Sequence, residues 1–242
     1  MPLRELWPIA LTAMALPSTA LAAPPDPAEI DVPPVGHALD VGVASDNFRP
    51  VSGALGYRLL LSPKLQLGVE LRGGLIDDTY VAGYAVDGGG YGEGRLAVQG
   101  TILREGPLWL DLRLATGARF QAGGEARPDN ERDAETSLDA ATAIIADAGI
   151  IANIEAGPWV TARVGVSAPV IVQVDPVPGL ETTGILTLFG LAVHVSERVS
   201  LTADGNIGGV FGWDGDGNKF LVGGQLGLRW LFAANTRDWR AF

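Results

Sequence analysis

Cysteine is absent from this chain of 242 residues, which excludes disulfide bonds, thiolate metal sites and lipid attachment through cysteine. Histidine and methionine are scarce, with 2 residues each. Charged residues make up 19% of the chain, against about 25% in a typical soluble domain. Hydrophobic residues reach 47%, and glycine numbers 33. The composition therefore indicates an apolar, glycine-rich chain with little charge to spread over a water-exposed surface.

Apolar runs long enough for a membrane helix are also missing after the N-terminal segment. The longest apolar candidates, 164–174 and 182–193, contain 11 and 12 residues. A spanning helix needs about 20 residues, so we expect no membrane helix.

The first 22 residues have the composition of a secretory signal peptide. Arg4 precedes an apolar stretch that reaches Leu16, and small residues occupy positions 20 and 22 in the pattern Ala20-Leu21-Ala22. This order predicts a signal peptide over 1–22 that is cleaved before Ala23. An N-terminal membrane anchor is the alternative, but the apolar stretch is too short to span a bilayer. Residues 23–37 follow as a proline-rich, extended lead-in.

Alternating side chains dominate the rest of the chain. In LWLDLRLATGARF, 108–120, leucines occupy one face of an extended chain, while Asp111, Arg113 and Arg119 occupy the other. A strand as long as this stretch is sufficient to cross a bilayer, which takes about 9–11 tilted residues. The alternation and the turn residues between the runs predict ten strands: 38–45, 53–61, 65–75, 90–103, 108–121, 138–153, 159–171, 183–195, 199–211 and 220–232.

The alanine-rich run 138–153 has a second interpretation. Ser137 is a suitable N-cap, and Asp139 would lie in the first turn of a helix. Gly149 and the paired isoleucines fit a helix poorly, so we favour a strand. A helix at this position would leave nine strands.

The links between the predicted strands alternate in length. Every second link is a tight turn, and the others are mostly longer. The five links of the second kind carry a net charge of −9, whereas the tight turns sum to 0. Short periplasmic turns and longer extracellular loops are typical of outer-membrane barrels. The longer links lie at 76–89, 122–137, 172–182 and 212–219, with a shorter one at 46–52.

The signal peptide, the alternating strands, the unequal links and the closing strand FLVGGQLGLRWLF together resemble a bacterial outer-membrane β-barrel. In size the chain is similar to the small OmpA-like and omptin-like barrels, although it carries no motif specific to one family. The resemblance covers residues 38–232 and implies an all-β, closed antiparallel up-and-down transmembrane barrel. About ten strands are expected, with eight as the alternative count. Residues 233–242 would be a periplasmic tail or the end of the last strand.

The polar face of the predicted strands carries arginine and acid but no lysine. A water-exposed face usually carries many lysines and glutamates, whereas arginine paired with carboxylates suits an enclosed interior. The 7 arginines and 6 acids nearly cancel, as buried charges must. We therefore expect these residues to line a lumen: Asp40, Arg58, Glu70, Arg72, Glu93, Arg95, Asp111, Arg113, Arg119, Asp147, Arg163, Asp204 and Arg229.

Aromatic residues lie mainly near the strand ends, which predicts two belts at the membrane interfaces. The alternative is ordinary aromatic packing in a soluble core. The first belt, beside the tight turns, would contain Trp109, Trp159, Trp230 and Phe232, and the second, beside the long loops, Tyr91, Phe120, Phe211, Trp213 and Phe220.

The chain offers few residues for catalysis. His37 precedes the first strand, and His194 lies on the polar face beside a tight turn. Barrel enzymes such as omptin proteases place histidine at the loop end, which is the opposite end. Pairing of His194 with Ser196 or Ser200 would need an orienting acid and an oxyanion hole that the sequence does not display. We therefore interpret His194 as a hydrogen-bonding residue of the lumen.

One segment, WDGDGNKF at 213–220, spaces three side-chain oxygens as a calcium loop does. Lys219 replaces the glycine of that loop, and no bidentate glutamate follows, so Asp-Gly turns explain the segment more simply. The glycines of 86–94 open no helix and predict no nucleotide site. We expect no catalytic residue, metal or cofactor, and the net charge of −11 disfavours nucleic acid.

The sequence thus predicts an outer-membrane protein without enzymatic activity, acting structurally or as a narrow passive pore. Its expected partners are outer-membrane lipid and lipopolysaccharide, the barrel-assembly machinery, and divalent cations at the acidic loops. Two alternatives remain open. A lipid- or peptide-modifying barrel enzyme would need Asp77 with Asp78, or Asp214 with Asp216, at the loop rim. A soluble periplasmic β-sandwich or barrel would instead bind a ligand.

Overall fold

The computed structural model describes residues 36–47, 49–62, 64–76, 79–81, 84–87, 89–122, 125–128, 140–175, 179–212 and 218–232. These residues belong to one compact unit, Pro33–Phe242. The predicted signal peptide, residues 23–35 of the lead-in and the tail 233–242 lie outside the described residues. No helix in the described part of the chain is long and apolar enough to cross a bilayer.

Thirteen strands lie within the described residues: β1 Gly36–Asp46, β2 Ser52–Ser62, β3 Leu65–Leu75, β4 Thr79–Val81, β5 Tyr84–Asp87, β6 Gly90–Glu105, β7 Leu108–Ala122, β8 Glu125–Pro128, β9 Ala140–Glu155, β10 Val160–Asp175, β11 Gly179–His194, β12 Val199–Gly212 and β13 Asn218–Phe232. Ten of them close into a barrel in which each strand pairs antiparallel with the next barrel strand along the chain. β1 completes the ring by pairing with both β2 and β13. The predicted closed up-and-down barrel is confirmed, with ten strands rather than eight.

The predicted strand positions agree closely with the observed ones. Residues 65–75 form β3 as expected, while β1 begins at Gly36, inside the predicted lead-in. The helix alternative for 138–153 is wrong, because β9 pairs with β7 on one side and β10 on the other. Its isoleucines are β-branched and suit a pleated surface better than a helix.

The tight turns lie together at one end of the barrel, here called the short-turn end, and the longer links lie at the opposite, long-loop end. Two of the tight turns depend on glycine. Gly106 and Gly157 have φ values of 56° and 81°, a conformation that glycine reaches without a Cβ clash.

Three short strands extend the barrel wall where the sequence predicts only loops. β4, β5 and β8 form a separate sheet in the order β4-β5-β8. The pairing of Asp87 with Glu125 in this sheet follows the pairing of Gly90 with Ala122 at the end of β6 and β7. The backbone ladder between β6 and β7 therefore continues past the rim at the long-loop end, after an interruption of a few residues.

Alternate side chains of each barrel strand point to opposite faces, and the accessible face is aliphatic. On β7, Leu112 and Leu114 are exposed, whereas Asp111 is only 1% exposed. Exposed side chains on other strands include Val41, Leu55, Val69, Leu96, Ile150, Val164 and Leu226. The aliphatic rows face outward, so a β-sandwich around an aliphatic core is wrong for this chain.

Candidate functional site

Charged side chains of the inward rows meet across the barrel. Inward side chains of a closed wall converge, so strands that are not neighbours can contact each other across the enclosed space. Arg113 of β7 reaches Glu70 of β3 although β6 lies between them. Arg72 of β3 reaches Gln225 of β13 although β2 and β1 lie between them. These contacts place the polar face on the inner wall.

Asp40 of β1 contacts arginines on both neighbouring strands, β2 and β13, where the barrel closes. Its Oδ2 lies 2.7 Å from Nε of Arg58 on β2. Its Oδ1 accepts a 2.6 Å hydrogen bond from Nε of Arg229 on β13. Hydrogen bonds between ionised groups are about twice as strong as neutral ones, so Asp40 strengthens the pairing of β1 with both of its neighbours.

Arg113 bridges two acids near the middle of the interior. Its Nη2 donates to Oε2 of Glu70 at 2.6 Å, and its Nη1 donates to Oδ2 of Asp147 at 2.9 Å. The three residues come from β7, β3 and β9. One guanidinium thus holds side chains from three strands of the wall.

Arg163 and Asp204 form an ion pair that depends on a glycine. Their Nη2 and Oδ1 atoms are 2.8 Å apart, although β11 separates the two strands that carry them. Gly190 stands between them in register, and a Cβ at that position would overlap the carboxylate of Asp204. The glycine therefore leaves the space in which the pair forms.

Glu93 takes two arginines towards the long-loop end. Its side chain is 3% exposed and accepts from Arg95 at 2.5 Å and from Arg119 at 2.8 Å.

Arg72 differs from these arginines because its Nη2 donates to the neutral Gln225 at 3.0 Å. Among the described residues, no carboxylate forms an ion pair with Arg72.

Asp111 is held by neutral donors instead of by arginine. Gln99 Nε2 donates to it at 2.9 Å, Thr101 Oγ1 at 2.7 Å and Asn153 Nδ2 at 2.8 Å. These partners carry no charge, and the charge pattern of the sequence therefore does not indicate them. Each of them occupies an inward position of its strand, so the alternation itself was the signal that would have identified them.

Bulky apolar side chains fill the interior at the short-turn end. Trp109, Leu60 and Ala38 are each 1% exposed, and Leu231 is 4% exposed. These residues lie on the same inner face as the charged rows, nearer to the tight turns. They occupy interior space at this end.

The predicted aromatic belts are partly wrong. Trp109 belongs to the inward row of Asp111, and Tyr91 also points inward, where its hydroxyl lies 2.6 Å from Ser52 Oγ. Trp159 and Phe120 are exposed on the outside, as expected, and so are Trp230, Phe211 and Phe220. Trp213 lies outside the described residues.

His194 is buried near the short-turn end. Its Nδ1 lies 2.8 Å from Ser200 Oγ, and its Nε2 lies 3.0 Å from Thr161 Oγ1. Both ring nitrogens are thus engaged by hydroxyls. The interpretation of His194 as a hydrogen-bonding residue of the interior is confirmed.

The acid pairs considered for catalysis, Asp77 with Asp78 and Asp214 with Asp216, lie outside the described residues, and so does most of the calcium-like segment. Within the described ranges, no group of three or more histidine and acid side chains is arranged to hold a metal ion.

A closed antiparallel barrel that is apolar outside and polar inside is the arrangement of outer-membrane β-barrels. It satisfies every backbone group of the wall by pairing, and it turns its aliphatic rows towards the surroundings. The chain has this architecture.

No family model matches the chain, and no curated protein matches its sequence. Solved outer-membrane proteins with a similar fold include the protease OmpT from Escherichia coli, at 12% identity and a TM-score of 0.39, covering 83% of this chain and 94% of OmpT. An outer-membrane channel from Pseudomonas putida F1 is 10% identical with a TM-score of 0.46, covering 88% and 100% of the two chains. LpxR from Salmonella typhimurium is 10% identical with a TM-score of 0.46, covering 81% of this chain and 100% of LpxR. At this level the similarities concern the fold and carry no information on activity.

Proposed function

We propose that the protein is an integral outer-membrane barrel of a Gram-negative cell envelope, exported through its signal peptide and inserted by the barrel-assembly machinery. It has no enzymatic activity in this proposal and acts structurally or as a narrow passive pore. The exposed aliphatic rows support membrane insertion, because acyl chains solvate such a surface and water does not.

The observation that carries the restriction to a narrow pore is the filling of the interior. Arg113 and Arg72 cross the enclosed space between non-neighbouring strands. Trp109 and Leu60, each 1% exposed, fill the interior nearer to the short-turn end. A barrel of about this strand number is little wider than an eight-stranded one, whose interior side chains can fill. The path for solutes is therefore constricted.

Planar-bilayer recording tests this proposal. We expect the wild-type protein to form no wide, stable pore of nanosiemens conductance. Arg72→Ala should increase any small conductance, because it removes a guanidinium from the interior without leaving a carboxylate unpaired. Adding Arg95→Ala and Arg113→Ala should increase the conductance further. A nanosiemens pore in the wild type would contradict the constricted interior.

Arg198→Ala provides the matched control. Arg198 lies in a tight turn and is exposed, so its removal should leave the conductance unchanged. An equal response to Arg198→Ala and Arg72→Ala would mean that the guanidinium across the interior does not limit the current.

Lipopolysaccharide and divalent cations are the proposed partners of the acidic links. The net charge of −9 on these links would repel lipopolysaccharide phosphates unless cations bridge them. We expect a chelator to lower the thermal unfolding midpoint of the barrel in membranes that contain lipopolysaccharide, and added magnesium to restore it. The control is a vesicle without lipopolysaccharide, where the chelator should have no effect. An unchanged midpoint in both membranes would remove the cation bridge from the proposal.

A further inference from the structure

Three arginines lie near the long-loop end of the interior, and two of them bond to one carboxylate. Arg95 and Arg119 bond to the two oxygens of Glu93. Arg49, from the link between β1 and β2, lies over the ring of Tyr91, which stands two residues before Glu93 on the same inward row of β6. We call Arg49, Arg95 and Arg119 the outer arginine cluster. Each of the three side chains is between 13% and 22% exposed, so the cluster is accessible to small solutes.

The outer arginine cluster carries more positive charge than its acids neutralise. Glu93 supplies one negative charge to Arg95 and Arg119. The other acid, Asp46, lies 3.8 Å from Nη1 of Arg49, which is too long for a hydrogen bond. The guanidinium of Arg49 instead stacks over the ring of Tyr91, 4.9 Å from its centroid. Among the described residues of this cluster, three positive charges thus face two negative ones.

A buried amide beside the cluster lacks an acceptor. Gln121 is 7% exposed, and its Nε2 has no hydrogen-bond partner among the described residues. It lies on the inner face of β7, two residues beyond Arg119, and faces Tyr91 in register. A buried donor that is left unpaired destabilises the structure. An acceptor at this position would satisfy the amide.

We propose that Arg49, Arg119 and Gln121 form a binding site for a small phosphate-bearing anion at the long-loop end of the interior. The site offers two guanidinium groups and the unpaired amide N–H of Gln121, and the excess of positive charge among its described residues favours an anion. Guanidinium groups match phosphate oxygens in a bidentate manner. Phosphate is favoured over a carboxylate because its tetrahedral oxygens can meet donors that converge from several directions, whereas the two oxygens of a carboxylate lie in one plane.

Titration calorimetry with inorganic phosphate tests the site on the folded, full-length protein in a detergent without phosphate groups. We expect saturable binding in the wild type. Arg49→Gln and Gln121→Leu should each weaken it by about tenfold, the loss that follows from removing one hydrogen bond to a charged ligand. The ion pairs of Glu93 stay intact in both variants, and heat-modifiable gel migration checks that each has folded.

Gln66→Leu is the matched control. Gln66 is also a buried glutamine whose amide lacks partners among the described residues, but it lies near the short-turn end. Its variant should bind phosphate as the wild type does. Absence of phosphate binding in the wild type, or unchanged affinity in both site variants, would overturn the proposal. Acetate binding as strong as phosphate binding would overturn the choice of phosphate.

A second titration in the presence of lipopolysaccharide distinguishes two sources of the phosphate group. If lipopolysaccharide phosphates occupy the site, inorganic phosphate no longer binds. If the natural ligand is a free phosphorylated solute, inorganic phosphate binds with the same affinity. Either result upholds the site, and neither depends on whether the barrel conducts ions.

Discussion

Leu114→Arg is expected to destabilise the barrel in a lipid bilayer by about 2–4 kcal/mol, the cost of a basic residue at the bilayer midplane on the lipid-facing side of a barrel. Leu114 lies in the middle of β7 and is 51% exposed. On a water-exposed surface the same substitution would change stability by no more than about 0.5 kcal/mol. Denaturant unfolding of the protein in lipid vesicles measures the difference.

Ile102→Arg is the control for depth in the membrane. Ile102 is also exposed, at 59%, but it lies near the short-turn end of β6. Its substitution should cost only about 0–1 kcal/mol, as at an interface. Equal and negligible costs at the two positions would mean that water surrounds the aliphatic rows, and the membrane assignment would be wrong.

Arg113→Leu is expected to have the largest effect among the interior substitutions. It leaves Glu70 and Asp147 without the guanidinium that bridges them. Breaking a buried pair by removing one partner costs roughly 3–5 kcal/mol. We expect about 3 kcal/mol, the lower end of that range, because the Glu70 side chain is 32% exposed. Denaturant unfolding in detergent micelles measures the loss.

Two further variants separate loss of charge pairing from loss of packing. Arg72→Leu removes a hydrogen bond from a guanidinium to the uncharged Gln225 and leaves no carboxylate unpaired, so it should cost only about 1.5 kcal/mol, the lower end of the range for a hydrogen bond with one charged partner. Adding Glu70→Gln and Asp147→Asn to Arg113→Leu should recover part of the lost stability, because no carboxylate is then left unpaired. Failure of the triple variant to recover any stability would attribute the effect to packing.

Most of the barrel could be predicted from the sequence because one local rule governs it. Successive side chains of a strand point to opposite faces, so the alternation in 108–120 separates Leu112 and Leu114 from Asp111 and Arg113 without any knowledge of the neighbours. The same rule placed the strand at 65–75 correctly. Loops do not follow a period, and the strands that extend the wall past the rim were missed for that reason.

Trp109 shows where a general preference overrode the local rule. Its position beside a tight turn suggested a membrane-interface belt, and aromatic residues do favour such belts. Residues 109, 111 and 113 are alternate positions of β7, so Trp109 shares the inward row of Asp111 and Arg113, and the structure buries it there. The alternation was the stronger signal, because the backbone geometry of a strand leaves no other direction for the side chain.

The sequence by itself determined which charged residues face each side of the wall, the number and order of the ten barrel strands, and the imbalance between turns and loops. Only the tertiary structure decided which arginine meets which acid. Arg229 meets Asp40 because β13 closes against β1 in one register, and Arg113 meets Glu70 because the wall curves until strands that are not neighbours face each other. Those partners depend on distances across the enclosed space, and alternation along a single strand holds no information about such distances.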